Sequence, residues 1–240
     1  MCLYPRLYQN KRYVKNKKNR GVVPTPRDER MRLVPVGCGN CMECRKKKAN
    51  EWKIRLYEEI RERKGKFVTF TFSDKWLVKI EETLRQRGCT LEHEELDNEI
   101  ARYAVDRFAV RYKNENGRRP RRWFVTELGA KKGRIHLHGI YFEDTDNDEL
   151  ERIWKYGGIW VGDYCNRASI TYIVKYMTKV DEVHPYYKGI VLTSNGIGKG
   201  YMKKGNFERA KYKKNGITRD WYNSDNGFKM SNPIYYRNLL

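Results

Sequence analysis

The chain has 240 residues, with 51 Lys or Arg against 30 Asp or Glu, a formal net charge of +21 and 13% aromatic residues. This length allows one compact domain with extensions. So strong a positive charge predicts a polyanionic partner, and nucleic acid comes first because bases stack on aromatic side chains. A membrane partner is not expected, because no apolar run approaches the ~18 residues of a spanning helix and the N-terminal residues lack the apolar core of a secretory signal; a cytosolic location is predicted.

Residues 1–45 are predicted to form a basic arm that carries a cysteine cluster. Cys38, Cys41 and Cys44 follow a C-x2-C-x2-C spacing, and Cys2 could add a fourth thiolate. In a reducing cytosol such a cluster indicates a metal site before disulfides, and structural zinc favours four sulfur or nitrogen ligands. The alternative is a tight turn of small residues before a helix. The spacing leaves both interpretations open, and neither gives cysteine a catalytic role.

The elements predicted after the arm mix helices and strands. Apolar residues at three- and four-residue spacing predict helices over 42–63 and 98–112, and FVTFTF predicts a strand over 67–72. Turn residues at 114–120 lead into a pair of strands joined by a short Gly/Lys turn. These strands and the later elements are expected over 123–128, 134–142, 147–154 (helix), 159–165 (strand) and 168–179 (helix), followed by a surface tail from residue 188.

This mixture is not a regular βαβ series. It predicts an α+β fold with a mostly antiparallel central sheet flanked by helices. Three segments are expected: the basic arm 1–45, a central domain 46–183 and a basic C-terminal extension 184–240.

Two of the four histidines, His136 and His138, are one residue apart in the predicted strand RIHLHGIYF. Side chains on a strand alternate between faces, so both imidazoles project to the same side and could share a cation. The opposite side carries Ile135, Leu137 and Tyr141, which are expected to pack on helices. Two ordinary solvent-facing histidines would also explain this pattern, and the pair alone does not decide.

Glu127 is the candidate for a third ligand. If residues 130–133 form a four-residue hairpin loop, Glu127 lies opposite His136 and points to the same face. A slip of one residue would turn its carboxylate away, so the prediction depends on the register. Two histidines and one carboxylate leave positions for phosphate and water. This mixed set suits Mg²⁺ or Mn²⁺ acting as a Lewis acid on a phosphoryl oxygen.

Tyr172 and Tyr176 are four residues apart in the predicted helical segment TYIVKYMTK, together with Lys175 and Lys179. This spacing puts both tyrosines on one helical face with the lysines beside them. A tyrosine nucleophile benefits from nearby positive charge, because the free pKa is about 10 and the phenolate is the reactive form. Tyr176 is expected to attack first, since both lysines flank it. Packing or base stacking would otherwise explain the pair, because the chain has 18 tyrosines.

Together these residues resemble the HUH endonuclease superfamily, in which a His-hydrophobic-His strand precedes a helix with one or two catalytic tyrosines. His136-Leu137-His138 is similar to the first element, and Tyr172 with Tyr176 is similar to the two-tyrosine form. The chain resembles in particular the replication initiators of small single-stranded DNA phages, the Microviridae, of the gokushovirus type. The similar segments are CGNCMECRKKKANEW, FVTFTF, FVTELGAKKGRIHLHGIYF, YIVKYMTK, SNGIGKGYM and NPIYYRN.

The resemblance implies an HUH endonuclease fold and rolling-circle replication. One tyrosine would attack single-stranded DNA at the phage origin, giving a 5′-phosphotyrosine and a 3′-hydroxyl for a host polymerase. The second tyrosine would attack the regenerated junction and close the displaced strand, with Glu127, His136 and His138 as metal ligands. The chain has no G-x-x-x-x-G-K-[ST] motif, so unwinding would need a host helicase, and the expected location is the cytoplasm of the bacterial host.

Other functions remain open on the sequence alone. A non-catalytic single-strand binder of the RRM or OB kind would use aromatics such as Trp123, Phe124 and Tyr141 for stacking. An HUH transposase or plasmid relaxase would use the same bond chemistry in a different role. A basic protein that packages phage DNA would bind without metal and without cleavage.

Overall fold

The computed structural model of the chain describes residues 2–129, 133–144, 146–179, 184, 187–203, 221–223, 227, 229–231 and 233–237. The chain divides into two compact units, Met1–Lys48 and Ala49–Leu240. Among the described helices, none is both long and apolar enough to cross a membrane.

The N-terminal unit contains an antiparallel ribbon of two strands, β1 (Arg6–Gln9) and β2 (Leu33–Val36), with short 3-10 helices at Lys11–Tyr13 and Glu29–Arg32. Helix α1 (Met42–Glu62) begins in this unit, close to its predicted start. The two strands were not predicted. Nearly all their side chains are exposed, so neither strand has the alternation of apolar and polar residues that marks a half-buried strand.

A five-stranded antiparallel sheet in the order β6-β3-β5-β4-β7 forms the centre of the second unit. The predicted α+β class with a mostly antiparallel sheet flanked by helices is therefore confirmed. Strands β4 and β5 form the predicted hairpin, and residues 130–132 of its loop lie outside the described residues. The strands are β3 (Lys66–Phe70), β4 (Arg122–Leu128), β5 (Ile135–Tyr141), β6 (Ile159–Tyr164) and β7 (Val191–Thr193).

One face of the sheet packs on helices α2 (Asp74–Gln86), α3 (His93–Asn116) and α4 (Asn147–Trp154). The Phe70 ring is at its centre, 5.7 Å from the Phe108 ring and 4.8 Å from the Trp154 ring between centroids. Ile135, Leu137 and Tyr141 belong to the same buried cluster, so their predicted packing against helices is confirmed.

The other face packs on α1 and on α5 (Arg167–Val174). Leu56 of α1 and Ile173 of α5 are fully buried against Trp123 of β4. A capping box starts α5, because the Asn166 side chain accepts from the Ser169 N–H while the Ser169 side chain bonds back to the Asn166 backbone. This cap fixes where the tyrosine segment begins.

Two helical predictions differ from the structure. Helix α2 was missed, although Ile80 and Leu84 are four residues apart and both buried, which is the spacing of an amphipathic helix. The helix predicted over 168–179 ends as an α-helix at Val174 and continues as a 3-10 helix over Lys175–Met177.

The surface tail predicted from residue 188 is wrong for several of its described residues. Strand β7 pairs with β4 in the central sheet. The described parts further along form β8 (Trp221–Asn223), β9 (Lys229–Ser231) and α6 (Ile234–Arg237). Tyr201, Tyr222 and Tyr236 are buried around Ile54, so tyrosines supply the apolar surface that a composition rich in Gly, Lys and Asn obscured. The boundaries 1–45, 46–183 and 184–240 stay a prediction.

Candidate active site

Strand β5 presents His136 and His138 on the same side of the sheet. Both are partly exposed, whereas Leu137 between them is buried, as the two-residue period of a strand requires. A Cβ at Gly139 would lie 2.2 Å from Cδ1 of Phe124, so only glycine lets β4 approach β5 this closely next to the histidine pair.

Glu127 lies opposite His136 in the β4–β5 register, as predicted. Its Oε2 is 3.3 Å from Nε2 of His136 and 3.0 Å from Nε2 of His138, and the two Nε2 atoms are 3.0 Å apart. One ligand atom from each of the three side chains lies within 4.8 Å of the other two, so the group could hold a metal ion. The separations are close to the about 3.0 Å between neighbouring ligands of an octahedral ion bound at about 2.1 Å.

The outer nitrogens of both imidazoles are hydrogen-bonded. Nδ1 of His136 is 3.2 Å from the Arg134 carbonyl oxygen, which can only accept, so the proton of a neutral His136 lies on Nδ1. Nδ1 of His138 is 2.9 Å from Oγ1 of Thr69, and a proton there would likewise leave Nε2 with its lone pair. Two imidazole lone pairs and a carboxylate oxygen then face one another, an arrangement that a cation stabilises.

The charge of Glu127 is set by its neighbours. Burial by itself raises the pKa of this carboxyl, but hydrogen bonds with His136, His138 and Lys179 outweigh burial and hold the pKa well below its usual range. The Lys179 ammonium contacts Oε1 of Glu127, while Oε2 faces the histidines. Glu127 is therefore a carboxylate at neutral pH, which metal ligation requires.

The two tyrosines meet beside the histidine pair. The Tyr176 ring stacks on the His138 imidazole, with centroids 4.5 Å apart and planes 18° apart. The Tyr176 hydroxyl donates to the Tyr172 hydroxyl at 3.0 Å. Tyr172 is 55% exposed, and Tyr176 is half-buried. The 3-10 turn after α5 thus keeps both hydroxyls on one side.

The two lysines take different positions. Lys179 binds Glu127, and its ammonium lies 5.8 Å from the centroid of the Tyr176 ring. Lys175 is exposed, and within the described part of the chain no hydrogen bond or ion pair connects its ammonium to the histidines, to Glu127 or to the tyrosines. Burial, followed by the hydrogen bond to Tyr172, raises the pKa of Tyr176. This direction is opposite to the one expected from flanking lysines.

Three residues next to the histidine pair were not predicted. Thr69 of β3 lies opposite both His138 of β5 and Trp160 of β6. The Phe67 ring is 6.0 Å from the His138 ring and 5.9 Å from the Trp160 ring, and Trp160 is 57% exposed. Phe67 and Trp160 thus form an aromatic surface from the histidine pair to the edge strand. The available signal was the alternation in FVTFTF, which puts Phe67 and Thr69 on one face.

The four cysteines of the predicted cluster also converge. The sulfur atoms of Cys2, Cys38, Cys41 and Cys44 lie within 4.8 Å of one another and could hold a metal ion. All four are free thiols. Hydrogen bonds from the backbone N–H groups of Leu3 and Cys44 lower the pKa of Cys41 to about 6, which favours its thiolate at neutral pH.

Residues 65–181 match a family model described as replication-associated protein ORF2. The matched segment contains the Glu127, His136 and His138 group and both tyrosines, and it does not reach the cysteine cluster. The comparison with curated proteins found no match, and the comparison with solved structures found none either. The family match supports a role as a replication initiator.

Proposed function

We propose that this protein is a metal-dependent tyrosine endonuclease and strand transferase of the HUH type that initiates and terminates rolling-circle replication. The observation that carries the proposal is the meeting of two tyrosine hydroxyls with a two-histidine, one-carboxylate group at one end of the sheet. The match to a replication-associated family over 65–181 supports replication as the biological role.

The chemistry is an exchange of phosphodiester bonds. A phenolic oxygen attacks a DNA phosphorus, a bond from phosphorus to a 3′ oxygen breaks, and the proton lost by the phenol balances the proton gained by the 3′-hydroxyl. Mg²⁺ or Mn²⁺ bound by Glu127, His136 and His138 supplies Lewis-acid stabilisation of the charged phosphate. The bond energy is kept in the 5′-phosphotyrosine, so the step needs no nucleotide triphosphate.

Two tyrosines permit the reverse exchange at the end of a round. Because the hydroxyls of Tyr172 and Tyr176 are 3.0 Å apart, both can reach one phosphate position next to the His138 imidazole. While one tyrosine holds the 5′ end, the other can attack the regenerated junction, and the released 3′-hydroxyl can close the displaced strand. Lys179 holds the Glu127 carboxylate in place, and Lys175 is free of the group's contacts and available to DNA phosphates.

The DNA partner is proposed to be the single-stranded origin region of a gokushovirus-type phage in the bacterial cytoplasm. Host polymerase would extend the 3′-hydroxyl, and a host helicase would unwind the duplex. The net charge of +21 suits contacts with DNA phosphates, and exposed Trp160 offers a face for a base next to the histidine pair.

A non-catalytic single-strand binder is less well supported. Trp123, Phe124 and Tyr141, the aromatics that such a binder would use, are at most 2% exposed. Binding alone also gives no reason for Glu127 to converge with the two histidines. A transposase or relaxase would share the bond chemistry, and the family match over 65–181 favours the replicative role.

The test is adduct formation on single-stranded oligonucleotides that tile both strands of the DNA molecule carrying the gene. With Mn²⁺, a covalent protein–DNA adduct should appear on a denaturing gel for oligonucleotides that contain the origin, and EDTA should prevent it. The variants Tyr172→Phe and Tyr176→Phe should each still form an adduct, but neither should close a circle. The double variant should form no adduct.

Tyr164→Phe is the matched control, because Tyr164 is 52% exposed on β6 and outside the tyrosine pair. It should retain both adduct formation and circle closure. Undiminished adduct formation by the double variant, or an adduct in EDTA equal to that in Mn²⁺, would overturn the proposed mechanism.

A further inference from the structure

The pairing of β1 with β2 brings the four cysteines of the N-terminal unit together. Arg6 lies opposite Val36, so the residues before β1 and those after β2 extend from the same end of the ribbon. The Cys38 N–H donates to Sγ of Cys2 at 3.2 Å across this end. Helix α1 begins two residues before Cys44, which puts that thiol in the first helical turn.

The sulfur positions fit one tetrahedral ion. Sγ of Cys41 is 3.8 Å from Sγ of Cys2, and all four sulfurs lie within 4.8 Å of one another. Four thiolates around zinc at about 2.3 Å form a tetrahedron with edges of about 3.8 Å. A disulfide would instead need about 2.05 Å between the sulfurs. The spacing therefore matches a shared ion and not a pair of disulfides.

The surrounding backbone is suited to thiolates. The Cys41 N–H donates to Sγ of Cys38 at 3.3 Å, and a hydrogen bond to sulfur favours its charged form. The N-terminus of α1 adds a partial positive charge beside Cys44. Gly39 has a φ of +78°, which allows the turn between Cys38 and Cys41, and a Cβ at Gly37 would lie only 3.0 Å from Sγ of Cys44.

The N-terminal unit has little else to stabilise it. Of its described residues only Tyr13 is buried. Residues 1–48 contain 14 Lys or Arg against three Asp or Glu, so their side chains repel one another. A unit this small with almost no apolar core needs a cross-link or a metal to fold.

We propose that Cys2, Cys38, Cys41 and Cys44 bind one zinc ion as four thiolates, and that this ion holds the β1–β2 ribbon to the start of α1. The site is structural, because four protein ligands leave no open position for a substrate. It goes beyond the proposed strand transfer and uses none of the residues of that reaction. The two excess negative charges of the zinc–thiolate group suit a unit so rich in Lys and Arg.

The test uses the full chain purified from zinc-supplemented medium under a non-thiol reductant. Elemental analysis should find about one zinc per chain, as a closed four-ligand site requires. Replacement by Co²⁺ should give a thiolate-to-cobalt charge-transfer band and the intense visible bands of tetrahedral cobalt. Cys41→Ser should lose the zinc and both spectral features. Limited trypsin digestion of this variant should cut first within 1–48.

Three controls separate this site from the others. Cys89→Ser and Cys165→Ser remove the two cysteines outside the cluster and should keep the zinc and the cobalt spectrum. Glu127→Gln should also keep both, because the charge-transfer band reports thiolate ligands only. Iron instead of zinc, no metal at all, or a wild-type cobalt spectrum in Cys41→Ser would overturn the proposal, whatever the outcome of the adduct assay.

Discussion

Thr69→Val tests whether His138 binds a metal, without touching any of the three candidate ligands. Oγ1 of Thr69 is 2.9 Å from Nδ1 of His138. Valine keeps the β-branched shape and the strand preference of threonine, and it removes only the oxygen that orients the imidazole. We expect this variant to bind Mn²⁺ about tenfold more weakly, a size typical of losing a partner behind a ligating histidine.

The magnitude follows from the single hydrogen bond that is lost. A neutral hydrogen bond contributes about 0.5–1.5 kcal/mol net, which corresponds to a factor of about 2 to 13 in Kd. Loss of the partner behind a ligating histidine typically weakens metal binding by about 10- to 100-fold. The two ranges meet near tenfold. Thr69 is partly exposed, so water can replace part of the contact and the upper end is not expected.

The assay is a titration of free Mn²⁺ by electron paramagnetic resonance, paired with adduct formation at each Mn²⁺ concentration. Both midpoints should move together, and the rate at saturating Mn²⁺ should stay near that of the unchanged chain. Thr71→Val is the matched control, because Oγ1 of Thr71 donates to the Gly158 carbonyl at 2.8 Å and not to a histidine. An unchanged Kd in Thr69→Val, or equal weakening in both variants, would refute the role assigned to Thr69.

Further outcomes follow from the same site. Glu127→Gln should weaken adduct formation at low Mn²⁺ and recover in part at high Mn²⁺, since the amide keeps an oxygen but loses the charge; full activity without added metal would exclude Glu127 as a ligand. DNA affinity should fall steeply with salt, because a +21 chain displaces counterions, and a flat plot of log Kd against log salt would count against phosphate contacts. Trp160→Ala should weaken oligonucleotide binding by about 5- to 150-fold and Trp160→Phe much less, as loss of one stacked base predicts; equal affinities would exclude stacking. In single-turnover reactions Tyr172→Phe should form adduct more slowly than Tyr176→Phe, and the reverse order would make Tyr176 the first nucleophile.

The central part of the site could be predicted because its geometry is local in sequence. His136 and His138 share a face through the two-residue period of one strand, and Glu127 joins them through the register of one hairpin. Tyr172 and Tyr176 share a side through helical spacing within a single segment. Each of these relations depends on a short stretch of backbone with one regular conformation, so the residue spacing is enough to infer it.

Contacts between distant segments could not be predicted in this way. Thr69 meets His138 because β3 pairs with β5, and no periodicity specifies which strands become neighbours. The pairing of Lys179 with Glu127 depends on where α5 packs on the sheet. For that reason the lysine expected to act on Tyr176 instead neutralises a carboxylate. The buried Tyr222 and Tyr236 were missed because tyrosine is compatible with both surface and core.

The two tyrosines are chemically alike, but their surroundings give them different tasks. Tyr176 lies flat on the His138 imidazole and donates to Tyr172, so bringing its oxygen onto a phosphate breaks two contacts. Tyr172 is 55% exposed and gives up only the hydrogen bond, and its phenolate would keep more of its water. Incoming DNA therefore meets Tyr172 first. Once Tyr172 is bonded to the 5′ end it no longer occupies the Tyr176 hydroxyl, which is then released next to the histidine pair for the second attack.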